Sequence, residues 1–536
     1  RLCEAQDIIK KHCLGCWSQA YLPFGDMLID FPKGRAKNYS RVLDLENAVH
    51  TVKYELCGTS YTREAFISFP DRVFVMRISA DRKGAVSFTV KLKSALKNTV
   101  FIENTALVLD GQCPSDIKRN MIDFKGRGEK YPAKPEQKGM AFRGAVRVIC
   151  EKGKTVYGKN GISIEGADAA TIFFTCETSF NGFDKHPFTE GKQYKQPCLD
   201  TLKRACEKPY KELLKAHIKD YGKYYSRVSL DLGTSGVENL PTDKRLLRHH
   251  DGGEDKGLYT LLFNYGRYLT IADSRECTQP STLQGIWNNK TDPPWNSNYT
   301  VNINTEMNYW PTLMCDMPEM NLPLIDMVKE LSVAGEKTAL EHYGAHGCVS
   351  HHNVDIWRMT TPVSGNPVWA FWPMSGGWLC RHVYDHYLYT KDAEYLKNTA
   401  YPLMKKAAEF YLDILAPDKD GYLIVAPSTS PENNFISTEN GDEISVSQTT
   451  TMSMAIVREL FMNCVGAAKI LKSDKAFAAQ LEDTLAKMRP FKTGSDGRLL
   501  EWYNDEKESE IHHRHVSHLY ALHPAHLITP DETPEP

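Results

Sequence analysis

No run of about twenty apolar residues occurs in this 536-residue chain, so nothing in it reads as a bilayer-spanning helix. A surplus of either charge is also missing. Lys and Arg total 65 against 67 Asp and Glu, a formal net charge of -2. That balance argues against nucleic acid or an anionic membrane as partner, because both call for a basic excess. The 14 cysteines are spread too thinly for a disulfide framework and read as reduced, structural thiols. Cys13 and Cys16 have the CxxC spacing of redox and zinc sites, but no second CxxC accompanies them. No HExxH motif is present, and no secretory leader is visible after Arg1.

What is present is ordinary globular composition, 41% hydrophobic and 25% charged, over a length that predicts two or more domains. Aromatic residues make up 10%, which suits stacking on sugar faces as well as plain cores. From about residue 20 to 190 the texture is β. Segments 73–80, 85–92, 141–150 and 170–178 alternate or run apolar, with turn residues between them. They predict an antiparallel sandwich, because no helix intervenes. Near residue 200 the period changes, and linker helices are predicted. Longer helices follow at 257–272, 324–344, 376–392, 396–415, 449–471 and 474–488. In the fourth of these, Met404, Ala408, Tyr411 and Leu415 share one face.

Between the helices lie loops that are polar and aromatic at once, in 281–311, 347–378, 424–435 and 511–524. Loops on a rigid helical scaffold are where function sits, and their recurrence predicts one site at one end of a helical barrel. In "PSTSPENNF", Pro431 stiffens the chain ahead of Glu432. A carboxylic acid among aromatics is a candidate proton donor to a leaving oxygen. In "NINTEMNYWP", Asn302 and Asn304 would share a face if the segment is extended. Amides are no bases, but their carbonyl oxygens can orient a water. "SHHNVDIWRM" supplies His351, His352, Asp355 and Trp357, which fit a metal site or a wall of donors, acceptors and stacking surface. Trp369, Trp372 and Trp378 add stacking surface, with at least one of them expected in the core. His512, His513, His515, His518 and His523 crowd around Arg514, again open to a metal reading or to sugar-hydroxyl contacts.

Several of these stretches occur together in one family. "LQGIWN" (283–288), "YTVNINTEMNYWP" (299–311), "HHNVDIWR" (351–358), "FWPMSGGWLCRH" (371–382), "PSTSPEN" (427–433) and "HRHVSHLYALHP" (513–524) resemble, in order, the motifs of glycoside hydrolase family 95. These are the inverting α-L-fucosidases, with some α-L-galactosidases. The resemblance implies an N-terminal antiparallel β-sandwich over 1–195, a helical linker over 196–250 and an (α/α)6 barrel over 251–536. It implies that Glu432 is the general acid and that Asn302 and Asn304 position the attacking water. Arg514 and His515 would contact the sugar, beside His352, Trp357 and Trp372. The substrate would be a fucosylated or L-galactosylated oligosaccharide or polysaccharide, with no cofactor and no metal. Thr300 stands where some members carry a histidine toward the C5 substituent. Its smaller size and hydroxyl leave L-galactose open beside fucose. The family's assisting aspartate lies in a later Phe-Gln-Ile-Asp-Gly-Asn stretch that this chain does not contain. The expectation is therefore a barrel lacking its last helices, catalytically poor alone. A catalytically inactive carbohydrate binder and a histidine-based metal hydrolase are the rival readings.

Overall fold

Strand Val86–Lys93 shows why the first part of the chain forms sheet. Val86, Phe88, Val90 and Leu92 are buried, while Lys91 and Lys93 are exposed, the period-two pattern of a strand with one covered face. The computed structural model describes residues 1–115, 130–276, 278–531 and 533. They divide into two compact units. One comprises Ala20–Asp273 and Trp287–Pro294; the other comprises Arg1–Gln19, Ser274–Ile286 and Trp295–Pro536.

The first unit contains two antiparallel sheets. In the larger, the strands lie in the order Lys37–Asp44, Val49–Leu56, Thr59–Ser68, Val73–Ala80, Ala169–Thr178, Ala141–Glu151, Ala106–Gln112, Lys97–Glu103. The smaller runs Asp26–Asp30, Val86–Lys93, Gly161–Ala167, Lys154–Gly158. Ile78, Leu107 and Ile172 of the large sheet share a core with Val90, Ile162 and Ile164 of the small one. Strand Ala169–Thr178 does not alternate; residues 169–173 are all buried. The reason is a helical layer on the other face. Phe66, Val75, Val108 and Phe173 pack with Cys198 and Leu202 of helix Lys195–Cys206 and Leu213 of helix Tyr210–Tyr225. A strand covered on both faces reads as a continuous apolar run. The antiparallel sandwich expected from the sequence is present.

The second unit is built on helices. Leu322–Tyr343, Ser375–Thr390, Tyr401–Ile414, Thr451–Leu471 and Lys475–Lys487 pack around one core that includes Leu324, Leu379, Met404, Phe410 and Phe461. Thr450 caps Thr451–Leu471 by accepting a hydrogen bond from the Ser453 N–H, and the helix ends at Lys472 in the left-handed region. Met404, Ala408 and Tyr411 are buried as their spacing predicts, whereas Leu415 lies past the helix, in strand Leu415–Pro417. Gly377 is needed where two helices meet, because a Cβ there would come within 2.6 Å of the Ile456 side chain. Residues 1–19 also belong to this unit. The Gln6 side-chain oxygen accepts from the Ser445 N–H at 2.7 Å, and Gln19 N–H donates to Asp355 at 2.7 Å. Among the described residues no helix is long and apolar enough to cross a membrane.

One expectation is corrected. The run from Asn302 is not extended: it turns directly into helix Asn304–Met314, with Pro311 inside it. The buried face of that helix is Thr305, Glu306, Tyr309 and Thr312. Because that face is polar, apolar periodicity does not reveal it. Two of its hydroxyls are bonded: the Tyr309 Oη pairs with Ser274 Oγ at 2.7 Å and accepts from the Ser281 N–H at 2.8 Å, and Thr312 Oγ1 donates to Tyr309 O at 2.7 Å.

Candidate active site

Three of the sequence-predicted residues, Arg514, His352 and His515, converge on a fourth, Glu432. Glu432 lies in the loop after strand Ser428–Thr429, which pairs with Val446–Ser447. Arg514 donates from Nη2 to Glu432 Oε2 at 3.0 Å. His352 Nε2 stands 3.6 Å from Glu432 Oε1, beyond hydrogen-bonding reach. The Glu432 N–H points at His515 Nδ1 at 3.0 Å, and the same nitrogen lies 3.0 Å from Pro431 O. One ring nitrogen cannot serve both, so the tautomer decides which bond forms. Burial pulls the His515 pKa down, which favours a neutral ring; of its two tautomers, the one protonated on Nε2 accepts from Glu432 N–H. The Glu432 carboxyl is faced by a guanidinium and an imidazole, and a second imidazole meets its backbone N–H.

His352 is buried, and neither ring nitrogen has a hydrogen-bond partner among the described residues. Burial, with a smaller contribution from His515, pushes its pKa down to about 3. It is therefore an uncharged imidazole beside Glu432 at neutral pH rather than an ion-pair partner. Asn302 is also buried with both amide atoms unpartnered among the described residues. Buried polar groups are normally hydrogen-bonded, so these two side chains stand out. A short ladder relates them. Tyr299–Thr300 pairs with Asn353–Val354, and Val301 N–H donates to His352 O at 2.9 Å. Asn304, two residues on, is exposed; the two asparagines do not share an environment.

Thr300 is buried and its hydroxyl is already engaged. It donates to Asn298 Oδ1 at 2.8 Å and accepts from Asn353 Nδ2 at 3.3 Å. Asn298 is fixed in turn by donating to Ser18 Oγ at 3.0 Å. Trp357 is partly exposed, on a turn where its N–H donates to Asp355 Oδ1 at 3.0 Å. Trp372 is fully buried, edge-on to Trp378 with ring centres 6.3 Å apart, and both belong to the helical core. Two of the three tryptophans of that loop are thus packing residues, and Trp372 offers no face to solvent.

The histidine-rich stretches do not converge as a metal site would. His351 is bonded to the Tyr343 hydroxyl at 2.6 Å and to Thr360 O at 2.7 Å. Asp355 accepts from the backbone N–H groups of Gln19, Trp357 and Met359. His523 packs edge-on against Trp310. Among the described residues no group of three His, Cys, Asp or Glu side chains could hold a metal ion. Cys13 and Cys16 are free thiols; Cys277 lies outside the described residues.

Two buried carboxylates escaped the sequence reading. Glu306 is wholly buried with both oxygens unpartnered among the described residues, and burial pushes its pKa up to about 8. Residues 305, 306, 309 and 312 recur at helical spacing, but the face is polar, so an apolar period does not show it. Glu501 is buried beneath the Glu432 loop, bonded to Ser430 and Asn433. No local pattern points to it, because its partners are 71 and 68 residues away.

The model of the glycosyl hydrolase family 95 catalytic domain matches residues 209–536. The chain belongs to glycosyl hydrolase family 95. Residues 2–182 match the N-terminal domain of glycosyl hydrolase family 65. This family 95 chain is 37% identical over 536 residues to "Alpha-L-fucosidase 2" of Arabidopsis thaliana, covering 97% of the chain and 63% of that protein. It is 30% identical over 511 residues to "Probable alpha-fucosidase A" of Aspergillus niger, covering 92% of the chain and 60% of that relative. The chain thus spans somewhat over half the length of these relatives. Among solved structures, a candidate kojibiose phosphorylase from the human microbiome superposes with a TM-score of 0.53 at 10% identity, over 88% of this chain and 59% of that one. At that identity the likeness speaks to fold alone, and it agrees with a sandwich followed by a helical domain of barrel type.

Proposed function

We propose that this family 95 chain carries the catalytic centre of a glycosidase that releases terminal α-linked L-fucose with inversion of configuration. The observation that carries the reading is Glu432, held by Arg514 Nη2 at 3.0 Å and flanked by His352 and His515. In this reading Glu432 is the general acid that protonates the departing glycosidic oxygen. Inversion needs a water on the opposite face of the sugar. Asn302, buried with a free amide, presents a carbonyl oxygen able to aim that water, and Asn304 assists. Neither amide takes the proton, so a carboxylate must act as base; the resemblance assigns that role to an aspartate in a later stretch. Arg514, His515 and His352 bind sugar hydroxyls, and Trp357 offers a stacking face. Trp372 supports the site from the core. The domain limits proposed from the sequence are 1–195 for the sandwich, 196–250 for the linker and 251–536 for the helical catalytic domain, whereas by compactness residues 1–19 go with the helical unit and 251–273 with the sheet unit.

Fucose is favoured over L-galactose by Thr300. The two sugars differ by one hydroxyl at C6, and strong discrimination requires a protein group built to pair with it. The Thr300 hydroxyl is committed to Asn298 and Asn353, so it is not waiting for a ligand hydroxyl. The test is to express the protein at the full length of its gene and supply matched α-1,2-linked L-fucosides and L-galactosides. Proton NMR then follows the freed sugar. Faster release of fucose, appearing first as the β-anomer, is expected. Preferred release of L-galactose would reassign the substrate, first appearance of the α-anomer would remove inversion, and release of neither sugar would leave a carbohydrate binder.

A further inference from the structure

Glu432 can serve as an acid only if its carboxyl is aimed, and it sits in a loop. The loop is tied down from beneath by a second carboxylate. Glu501 is 6% exposed. Its Oε1 accepts from the Ser430 hydroxyl at 2.7 Å and its Oε2 accepts from Asn433 Nδ2 at 3.2 Å. Ser430 and Asn433 are themselves buried and bracket Pro431 and Glu432, and a turn bond from Asn433 N–H to Ser430 O at 2.9 Å closes the bracket. Glu501 is anchored in turn. Its backbone oxygen accepts from the Thr451 N–H at 3.0 Å, at the first turn of helix Thr451–Leu471. A carboxylate is costly to bury unless its oxygens are bonded, and here both oxygens bond the two flanks of one functional residue. On the loop's other side, Ser517 Oγ donates to Pro431 O and His515 takes the Glu432 N–H.

We propose that Glu501 is the positioning residue of the acid loop, holding Ser430 and Asn433 so that the Glu432 carboxyl meets the departing oxygen. The proposal rests on the reading of Glu432 as general acid. It does not make Glu501 a catalytic residue, since it acts through its neighbours.

The consequence is specific to the leaving group. A sugar leaving group needs the proton; a 2,4-dinitrophenyl group leaves without it. General acid help is worth about 10²–10⁴-fold, and misplacement by about 1 Å costs on the order of 10²-fold. In the full-length protein, Glu501→Ala is expected to lower kcat about 30-fold on an α-1,2-linked fucosyl disaccharide. On dinitrophenyl α-L-fucoside the expected loss is under about threefold, with KM little changed on either substrate. Glu501→Gln is expected to recover most of the loss, because its amide oxygen still accepts from Asn433 and the Ser430 hydroxyl can turn to accept its N–H. Asn433→Ala, which removes one tether and leaves the carboxylate in place, is expected to reproduce a smaller, equally selective loss, and covers the case in which Glu501→Ala does not fold. Glu432→Gln is the control. If it is selective for the sugar leaving group and the Glu501 and Asn433 variants lose equally on both substrates, or not at all, the positioning role is overturned while the acid stands. If Glu432→Gln itself shows no selectivity, the acid assignment falls and the positioning role with it.

Discussion

Glu306 offers the sharpest test of the buried polar groups around the site. In an unfolded chain its carboxyl would titrate at 4.5, and in the folded protein burial moves it up to about 8. Between those values the folded state holds a proton that the unfolded state has released, so stability falls as pH rises. The contribution is intact below the unfolded pKa and is lost progressively as pH climbs through the folded one. Each unit of displacement is worth about 1.36 kcal/mol. The loss therefore amounts to about 3 kcal/mol at pH 7 and about 5 kcal/mol above pH 8. With the side chain wholly buried, solvent screening does not reduce this, and it is a large share of the roughly 5–15 kcal/mol that holds a typical protein folded. Glu306→Gln keeps the shape and removes the titration. Urea unfolding of both proteins at pH 5, 7 and 9 is the assay. The two should match within about 1 kcal/mol at pH 5, and the variant should lead by several kcal/mol at pH 9. Curves that stay parallel across the range would refute the reasoning.

Other outcomes follow from the same geometry. Asn302→Ala should cost less than about 1 kcal/mol in stability, because no hydrogen bond is lost, while kcat on a fucosyl disaccharide falls at least about tenfold if the amide aims the water; thermal melts alongside steady-state kinetics separate the two. Trp372→Ala should destabilise by about 3–5 kcal/mol as a core truncation, and Trp372→Phe by less, both measured by thermal unfolding. Arg514→Ala, at an exposed ion pair, should leave the melting temperature within a few degrees yet reduce kcat/KM about tenfold or more on a fucoside. Dialysis against a chelator should leave activity unchanged; a loss restored by zinc would revive the histidine metal reading.

How much of this was legible in the sequence depended on which signal each element carries. Strand Val86–Lys93 declared itself because one face is wet and one dry. Helix Thr451–Leu471 did so because apolar residues surround it. Helix Asn304–Met314 did not, because its buried face carries Thr305, Glu306, Tyr309 and Thr312 and its interior holds Pro311; both facts mimic a loop. Glu432 was singled out by its own neighbours in sequence. The supports around it were not, since Arg514 and Glu501 reach it or its loop across 82 and about 70 residues. Motif resemblance supplied Arg514 and His515, and nothing local supplied Glu501. Trp372 shows the opposite failure: aromatic content alone does not distinguish a stacking platform from a packed core, and here the core took it.

The opening residues of the chain have a consequence for how the protein is made. Ser18 receives hydrogen bonds from Asn296 and Asn298, partners 278 and 280 residues downstream, and Gln6 serves Ser445 across 439. A ribosome adds about 5–20 residues per second. The first nineteen residues therefore leave the tunnel on the order of ten seconds to a minute before Asn296 exists, and Gln6 waits longer still. Over that interval the apolar side chains of Ile9 and Leu14 lack Phe371 and Val446, the residues they finally pack with. The helical unit is closed by a segment that is made well before its partners and seated only once they exist, and a nascent chain stalled midway would be a natural client for a chaperone.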